Sequence, residues 1–127
     1  MALKLWHCAG SRSIRPLWTL EEMGVDYDIE VMQFPPRFIH PGYTDINPIG
    51  TVPFFTDGDV EMTESAGISQ YLVDRHGPTD LAVSPDESDY GLYLNWLHRS
   101  DATLTFPQTL VLRYTILEPE EKRLPTV

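Results

Sequence analysis

The chain has 127 residues, enough for one ordinary domain with a buried core. Nine basic against nineteen acidic residues leave a formal charge of −10, which disfavours non-specific binding to nucleic acid or to an anionic membrane, since both need a positive surface. A single cysteine, Cys8, excludes an internal disulfide, and no apolar run approaches the roughly 20 residues of a membrane span. In chain order, residues 3–7, LKLWH, alternate apolar and polar and predict a short strand. The opening MALKLWHCAG lacks the longer apolar region of a secretory signal, which predicts a cytosolic protein. CAGS follows as a loop. Residues 14–23, IRPLWTLEEM, carry Ile14, Leu17, Trp18 and Leu20 at helical spacing, with Gly24 as a stop. Residues 26–32, DYDIEVM, alternate again and predict a second strand. Residues 33–50 are rich in Pro, Gly, Asn and Asp and predict a long irregular connection with one short helical turn. VPFFT, residues 52–56, predicts a third strand headed by proline; DGD is a hairpin turn and VEM, residues 60–62, the returning strand. Residues 63–77 predict a helix capped by Thr63 or Ser65, with Glu64 at the positive end of its dipole and Gly77 as its stop.

The order is β-α-β, an irregular loop, then β-β-α. The first half implies a parallel pair and the hairpin adds antiparallel strands, so an α/β fold with a small mixed sheet and helices packed on it is expected. Residues 77–88 have the composition of a linker. The expected division is a domain over 1–77, a linker over 78–85 and a helical region from 86 onward. Residues 86–117 read as one long helix, with a stripe of Tyr90, Tyr93, Leu94 and Leu97 and a kink at Pro107. Its apolar residues occupy more than one face, and such a helix lies buried among others. The sequence offers it no partner helix, so either another chain covers it or the chain is a fragment.

Three short stretches carry candidate chemistry. With Ser13 as the cap, Pro16 falls at the third position of the first helix, where proline is tolerated; with Ser11 as the cap it falls at the fifth. Ser13 is therefore the better cap, and Ser11 keeps a spare hydroxyl beside a helix N-terminus, where an anion such as a thiolate is stabilised. The bland alternative is that both serines only cap and turn. In TVPFF, a cis Val52–Pro53 bond would turn the backbone of Val52 outward to pair with a ligand's peptide group; a trans edge-strand proline would not. In ESAGI, Ser65 and the free N–H groups of a second helix N-terminus make an anion site, and Glu64 adds a carboxylate for an ammonium. Arg12, Arg15 and Arg37 are the nearest cations for a small anion. Together these stretches suit an extended ligand with an anion at one end, a peptide in the middle, and a carboxylate and an ammonium at the other, which is the pattern of glutathione.

The ordered set GSRSIRPLWTLEEMGVDYD, INPIGTVPFFTDGDVEMTESAGISQYLVDRHG and YLNWLHRSDATL resembles bacterial cytosolic glutathione transferases of the serine type, from about residue 2 to the end of the chain. The resemblance implies a thioredoxin-like glutathione-binding domain over 1–77. It implies that the later helix is the first of an all-helical second domain, truncated after that helix. It also implies a transferase that conjugates the glutathione thiolate to a small apolar electrophile, in a cytoplasmic homodimer with no metal, nucleic-acid or membrane partner. Residue by residue, Ser11 matches the serine that activates the thiolate, with Ser13 as its rival. Val52 matches the residue that pairs with the cysteinyl moiety and Pro53 the cis-proline. Glu64 and Ser65 match the pair that holds the γ-glutamyl end, and Asp101 an acidic position reaching the neighbouring subunit's glutathione. Thr51 departs from the Lys or Gln common at its place, and Cys8 lies upstream of the position used by cysteine-type relatives, so it reads as a buried packing residue. Trp96, Phe106 and Tyr114 read as core or interface. The alternatives are a non-catalytic module of the same fold, an inactive fragment, or a thiol–disulfide reductase, the last disfavoured by the lack of a helix-terminal cysteine.

Overall fold

The computed structural model describes residues 3–124 and 126. The chain divides into two compact units, Met1–Ala82 and Val83–Val127. The first contains β1 (Leu3–Cys8), α1 (Ile14–Met23), β2 (Tyr27–Met32), the short turns α2 (Pro36–Ile39) and α3 (Tyr43–Ile46), β3 (Phe54–Asp57), β4 (Val60–Met62) and α4 (Ser65–His76). The strands form one mixed sheet in the order β2-β1-β3-β4. β1 and β2 run parallel, Leu3 beside Tyr27 and Cys8 beside Met32, because α1 carries the chain back across the sheet. β3 runs antiparallel to β1, with Trp6 beside Phe54, and β4 returns antiparallel after the turn at Gly58, whose φ of 60° suits glycine. α1 begins at Ile14 and ends at Gly24, as the sequence predicts. Gly24 takes φ 62°, and its N–H donates to the Glu21 carbonyl at 3.1 Å.

The period of two along the strands sorts the core into two faces. Leu3, Leu5 and Phe55 pack with Leu20 of α1 and Ile68 and Leu72 of α4. Trp6, Cys8 and Phe54 pack on the opposite face with Met32, Tyr43 and Val52. Burying each of these larger side chains contributes about 1.5–3 kcal/mol. Both faces are therefore covered at β1, which is why its alternation stops at Trp6, His7 and Cys8, all of them buried.

Several boundaries differ from the sequence-based expectation. β3 starts at Phe54 rather than at residue 52, because Pro53 has no N–H to give the ladder. The segment 33–50 holds two helical turns, not one. α4 starts at Ser65 with Glu64 in the cap position, and neither Thr63 nor Ser65 caps it by a side-chain hydrogen bond. In the second unit, the long helix begins at α5 (Tyr90–Arg99) rather than at residue 86, widens to a π-helical stretch over Ser100–Thr105, narrows again in α6 (Phe106–Leu112) and widens over Arg113–Leu117. The first widening precedes Pro107, whose ring would meet the Thr103 carbonyl in a regular α-helix. Tyr90, Tyr93, Leu94 and Leu97 are half-buried, as their spacing predicts, while Leu92 and Trp96 are exposed. Among the described residues, no helix is long and apolar enough to cross a membrane.

One polar clamp ties the end of β3 to α4. The Asp57 carboxylate accepts hydrogen bonds from His76 Nε2 at 2.8 Å and from the Tyr71 hydroxyl at 2.9 Å. These bonds hold the Asp57 carboxyl below the ordinary value of 3.8. A depressed carboxyl contributes stability above its unfolded value and loses it as the pH falls through its folded value. Urea midpoints measured downward from pH 5 therefore fall below about pH 4 in the parent, and the acid limb of Asp57→Asn is flatter. An equally steep limb in the variant would remove Asp57 from the acid transition.

Candidate functional site

The end of β1 and the start of α1 form a tight polar cluster. Ser13 occupies the cap position of α1, yet its hydroxyl makes no cap hydrogen bond. A cap hydroxyl normally accepts from the second or third helical N–H. Here the third residue is Pro16, which has no N–H, and the Arg15 N–H already donates to the Arg12 carbonyl at 3.1 Å. Ser13 Oγ turns back to β1 instead, accepting from the Cys8 N–H at 3.1 Å and lying 2.7 Å from His7 Nδ1 and 2.6 Å from Ser11 Oγ. Ser11 Oγ donates to the Cys8 carbonyl at 2.8 Å and accepts from the Ser13 N–H at 3.2 Å. Ser13 thus takes the expected cap position, but its hydroxyl does not cap the helix, and the expectation of a spare Ser11 hydroxyl is corrected. Ser13 is fully buried and ties α1 to β1, and the Ser11 hydroxyl, although partly exposed, is not spare.

The second element is the stretch before β3. The Val52–Pro53 bond is cis. Val52 and Pro53 stand outside the sheet ladder, which begins at Phe54. The preceding Thr51 carbonyl accepts two hydrogen bonds, from the Tyr43 hydroxyl at 2.6 Å and from Asn47 Nδ2 at 2.9 Å. Asn47 Oδ1 in turn accepts from the Ile49 N–H at 3.2 Å. Tyr43 and Asn47 are both buried, so the irregular segment 33–50 is the frame that sets the position of Val52.

The third element is the N-terminus of α4. The Ile68 N–H donates to the Glu64 carbonyl at 2.8 Å as the first bond of the helix, leaving the earlier N–H groups without an intrahelical acceptor. Arg15 Nη1 donates to Ser65 Oγ at 3.3 Å, so the starts of α1 and α4 are tied together. A small groove of about 50 Å³ lies there, lined by Arg12, Thr51, Val52, Pro53, Thr63, Glu64 and Ser65. It places a guanidinium, a carboxylate and a positive helix end around one opening, complementary to a ligand end that bears both a carboxylate and an ammonium.

Val52, Pro53, Glu64 and Ser65 thus line one groove, and Ser11 immediately precedes its lining residue Arg12. Asp101 lies in the second unit, on the widened stretch Ser100–Thr105, and is not part of that lining. Arg37 also lies outside it. His7, Asn47 and Tyr43 were missed as site residues. The signal for His7 was available, because alternation puts it on the face of Leu3 and Leu5, where a buried polar group must find a partner. Asn47 and Tyr43 carried no such pattern in an irregular segment. Among the described residues, no three His, Cys, Asp or Glu side chains gather as a metal-binding set.

Cys8 is fully buried, and burial pushes its thiol above the ordinary 9.0. A thiol reagent such as dithionitrobenzoate therefore gives no signal with the native chain at pH 8 and one thiol per chain after denaturation. Rapid labelling of the native chain would contradict the packing assignment.

Residues 1–74 match the family described as "Glutathione S-transferase, N-terminal domain". The chain is similar to glutathione S-transferase 3 of Schizosaccharomyces pombe, 37% identical over 100 residues, covering 79% of this chain and 41% of that protein. It is 30% identical over 123 residues to glutathione S-transferase F10 of Arabidopsis thaliana, covering 92% of this chain and 55% of the relative. The chain thus spans about half the length of such relatives or less. Among solved structures, a theta-class glutathione S-transferase from Xanthomonas axonopodis pv. citri with glutathione bound superposes with a TM-score of 0.71 at 28% identity, covering 98% of this chain and 60% of the other. A glutathione transferase homologue from Lodderomyces elongisporus with two glutathione molecules per subunit superposes with a TM-score of 0.77 at 18% identity, over 99% of this chain and 61% of the other, a likeness of fold.

Proposed function

The chain belongs to the glutathione S-transferase family through residues 1–74, and on that premise we propose that it holds glutathione along the groove of its first unit and activates its sulfur. The reading is carried by the joining of the two helix starts through Arg15 and Ser65, which sets Arg12 and Glu64, opposite in charge, around one opening. The γ-glutamyl end of glutathione carries an ammonium for Glu64 and a carboxylate for Arg12, Ser65 and the free N–H groups of α4. The cysteinyl peptide pairs with the backbone of Val52 beside Pro53. Thr51 offers the glycyl end a hydroxyl where relatives offer a longer side chain. The sulfur then faces Ser11, whose hydroxyl donates to the thiolate near the positive end of α1.

The reaction in this reading is addition of that thiolate to a small apolar electrophile. The residues supply orientation and charge stabilisation, and no proton relay is needed. The chain is then a serine-type transferase, cytoplasmic, working as a homodimer in which Asp101 serves the neighbouring subunit's glutathione.

A titration with glutathione at neutral pH, followed by the ultraviolet absorbance of the thiolate, tests the reading. Saturable binding with thiolate formation is expected, and Glu64→Gln weakens it about tenfold by loss of one charge-assisted hydrogen bond. No saturation at millimolar glutathione would remove the reading, and saturation without a thiolate signal would leave a binding module without catalysis.

A further inference from the structure

The cluster at the end of β1 contains more hydrogen-bond contacts than hydroxyl protons, and counting them fixes the state of His7. Ser11 Oγ and Ser13 Oγ carry one proton each. Ser11 Oγ lies 2.8 Å from the Cys8 carbonyl, which can only accept, so the Ser11 proton is committed there. The 2.6 Å contact between the two hydroxyls then needs the Ser13 proton, which it takes in preference to the longer 3.3 Å contact of Ser13 Oγ with the same carbonyl. With that proton committed, Ser13 Oγ can only accept across the 2.7 Å contact to His7, and Nδ1 must carry a hydrogen. The reverse arrangement gives the Ser13 proton to Nδ1 and the Ser11 proton to Ser13, and leaves Ser11 Oγ and the Cys8 carbonyl 2.8 Å apart with no proton between them. Only the first arrangement turns all three short contacts into hydrogen bonds. His7 and Ser13 are buried, so water does not replace a missing donor cheaply.

Resting on the reading of Ser11 as the thiolate's donor, we propose that His7 is a positioning residue that acts through Ser13 to point the single Ser11 proton away from the cluster. Nδ1–H donates to Ser13 Oγ, Ser13 donates to Ser11 Oγ, and the Ser11 hydroxyl has no use for its proton inside the chain of hydroxyls. When a sulfur anion arrives, the Ser11 O–H turns from the Cys8 carbonyl to the sulfur, the short bond from the Ser13 hydroxyl is kept, and the longer 3.2 Å bond from the Ser13 N–H gives way. The Cys8 carbonyl keeps the Ser11 N–H at 3.2 Å as a donor, so the rotation leaves no orphaned acceptor. If Nδ1 were bare, the Ser11 proton would be held inward by Ser13 and the thiolate would meet a lone pair. No bond to hydrogen breaks in this scheme; it is an orientation of donors.

Two measurements on the full chain test it. In a long-range proton–nitrogen correlation spectrum, Nδ1 of His7 is expected to be protonated at neutral pH; a bare Nδ1 overturns the proposal whatever the chain binds. In the thiolate titration, His7→Leu frees the Ser13 hydroxyl to turn its proton to the Cys8 carbonyl, 3.3 Å away, so that Ser11 donates inward to Ser13, and the apparent pKa of bound glutathione is expected to rise by about one unit. His7→Asn, whose amide N–H takes the place of Nδ1–H, should recover most of that shift. Affinity for S-methylglutathione, which has no thiol, should be the same in all three and reports that the groove is folded. A thiol unchanged in His7→Leu overturns the proposal. Ser11→Ala separates the two levels. If it raises the thiol's pKa and His7→Leu does not, only the role of His7 falls; if it changes nothing, the serine reading falls and the role of His7 with it.

Discussion

Ser11→Ala is expected to lower the rate of glutathione conjugation about 100-fold at neutral pH, the usual cost of removing one donor aimed at developing or resident negative charge. The loss should appear in the thiolate absorbance of the bound peptide before it appears in affinity. Ser11 sits on the surface of the cluster, and its removal leaves the Ser13 hydroxyl with His7, the Cys8 N–H and the Cys8 carbonyl as remaining neighbours. Only the Ser13 N–H loses its acceptor, so the stability cost should be about 1 kcal/mol, smaller than that of Ser13→Ala. Ser13→Ala is expected to act mainly on stability, with a rise in the thiol's pKa no larger than that of His7→Leu. It takes the acceptor from the Cys8 N–H and the partner from His7, both buried, and should cost about 2 kcal/mol of stability. A far-ultraviolet melt together with the thiolate titration distinguishes the two. Thiolate lost in Ser13→Ala at parental stability, and retained in Ser11→Ala, would reverse the assignment of roles.

The second large effect falls on a residue remote from the sulfur. Asn47→Ala should cost about 3 kcal/mol, from one lost donor to the Thr51 carbonyl, one lost acceptor for the Ile49 N–H and a small cavity. In a unit of this size that is a fall in melting temperature on the order of 15 °C. Because the Thr51 carbonyl is the anchor immediately before Val52, glutathione affinity should fall as well. Tyr43→Phe removes the other bond to that carbonyl and a long 3.5 Å contact from Asn47 Nδ2, which keeps the Thr51 carbonyl as its acceptor; it should be milder, about 1 kcal/mol, with the same direction on affinity. A melt of Asn47→Ala within a few degrees of the parent would show that the segment 33–50 does not hold Val52 in place.

Much of the site was readable from local pattern. Gly24 after an amphipathic run ended α1 where predicted, and DGD between apolar stretches placed the hairpin. VP and ES each have commoner structural uses and point to a ligand only in combination; both stretches line the groove. Ser13 stands at the cap as predicted, because position in the helix is a local property, whereas the destination of its hydroxyl depends on where β1 ends in space. The reading of Pro16 was right, but its missing N–H also removed the acceptor's target, and that consequence appears only once the strand offers a better one. The long helix was read through Pro107 as one piece, since its apolar spacing continues; the π-helical widening is a backbone response that leaves the spacing nearly intact.

The sequence by itself determined the alternation of strands and helices, the parallel first pair and the antiparallel hairpin. It also singled out Ser11, Val52, Pro53, Glu64 and Ser65 as candidates, through three short stretches taken together and the family resemblance they carry. Only the tertiary structure decided that Arg15 bonds Ser65 fifty residues away, that Tyr43 and Asn47 hold Thr51, and that His7, Ser13 and Ser11 form one hydrogen-bonded chain ending on the Cys8 carbonyl. The physical reason is common to all three. A hydrogen bond is chosen by distance and direction among whatever groups burial brings together, and burial is settled by packing the whole sheet, not by the neighbours of a residue in the sequence.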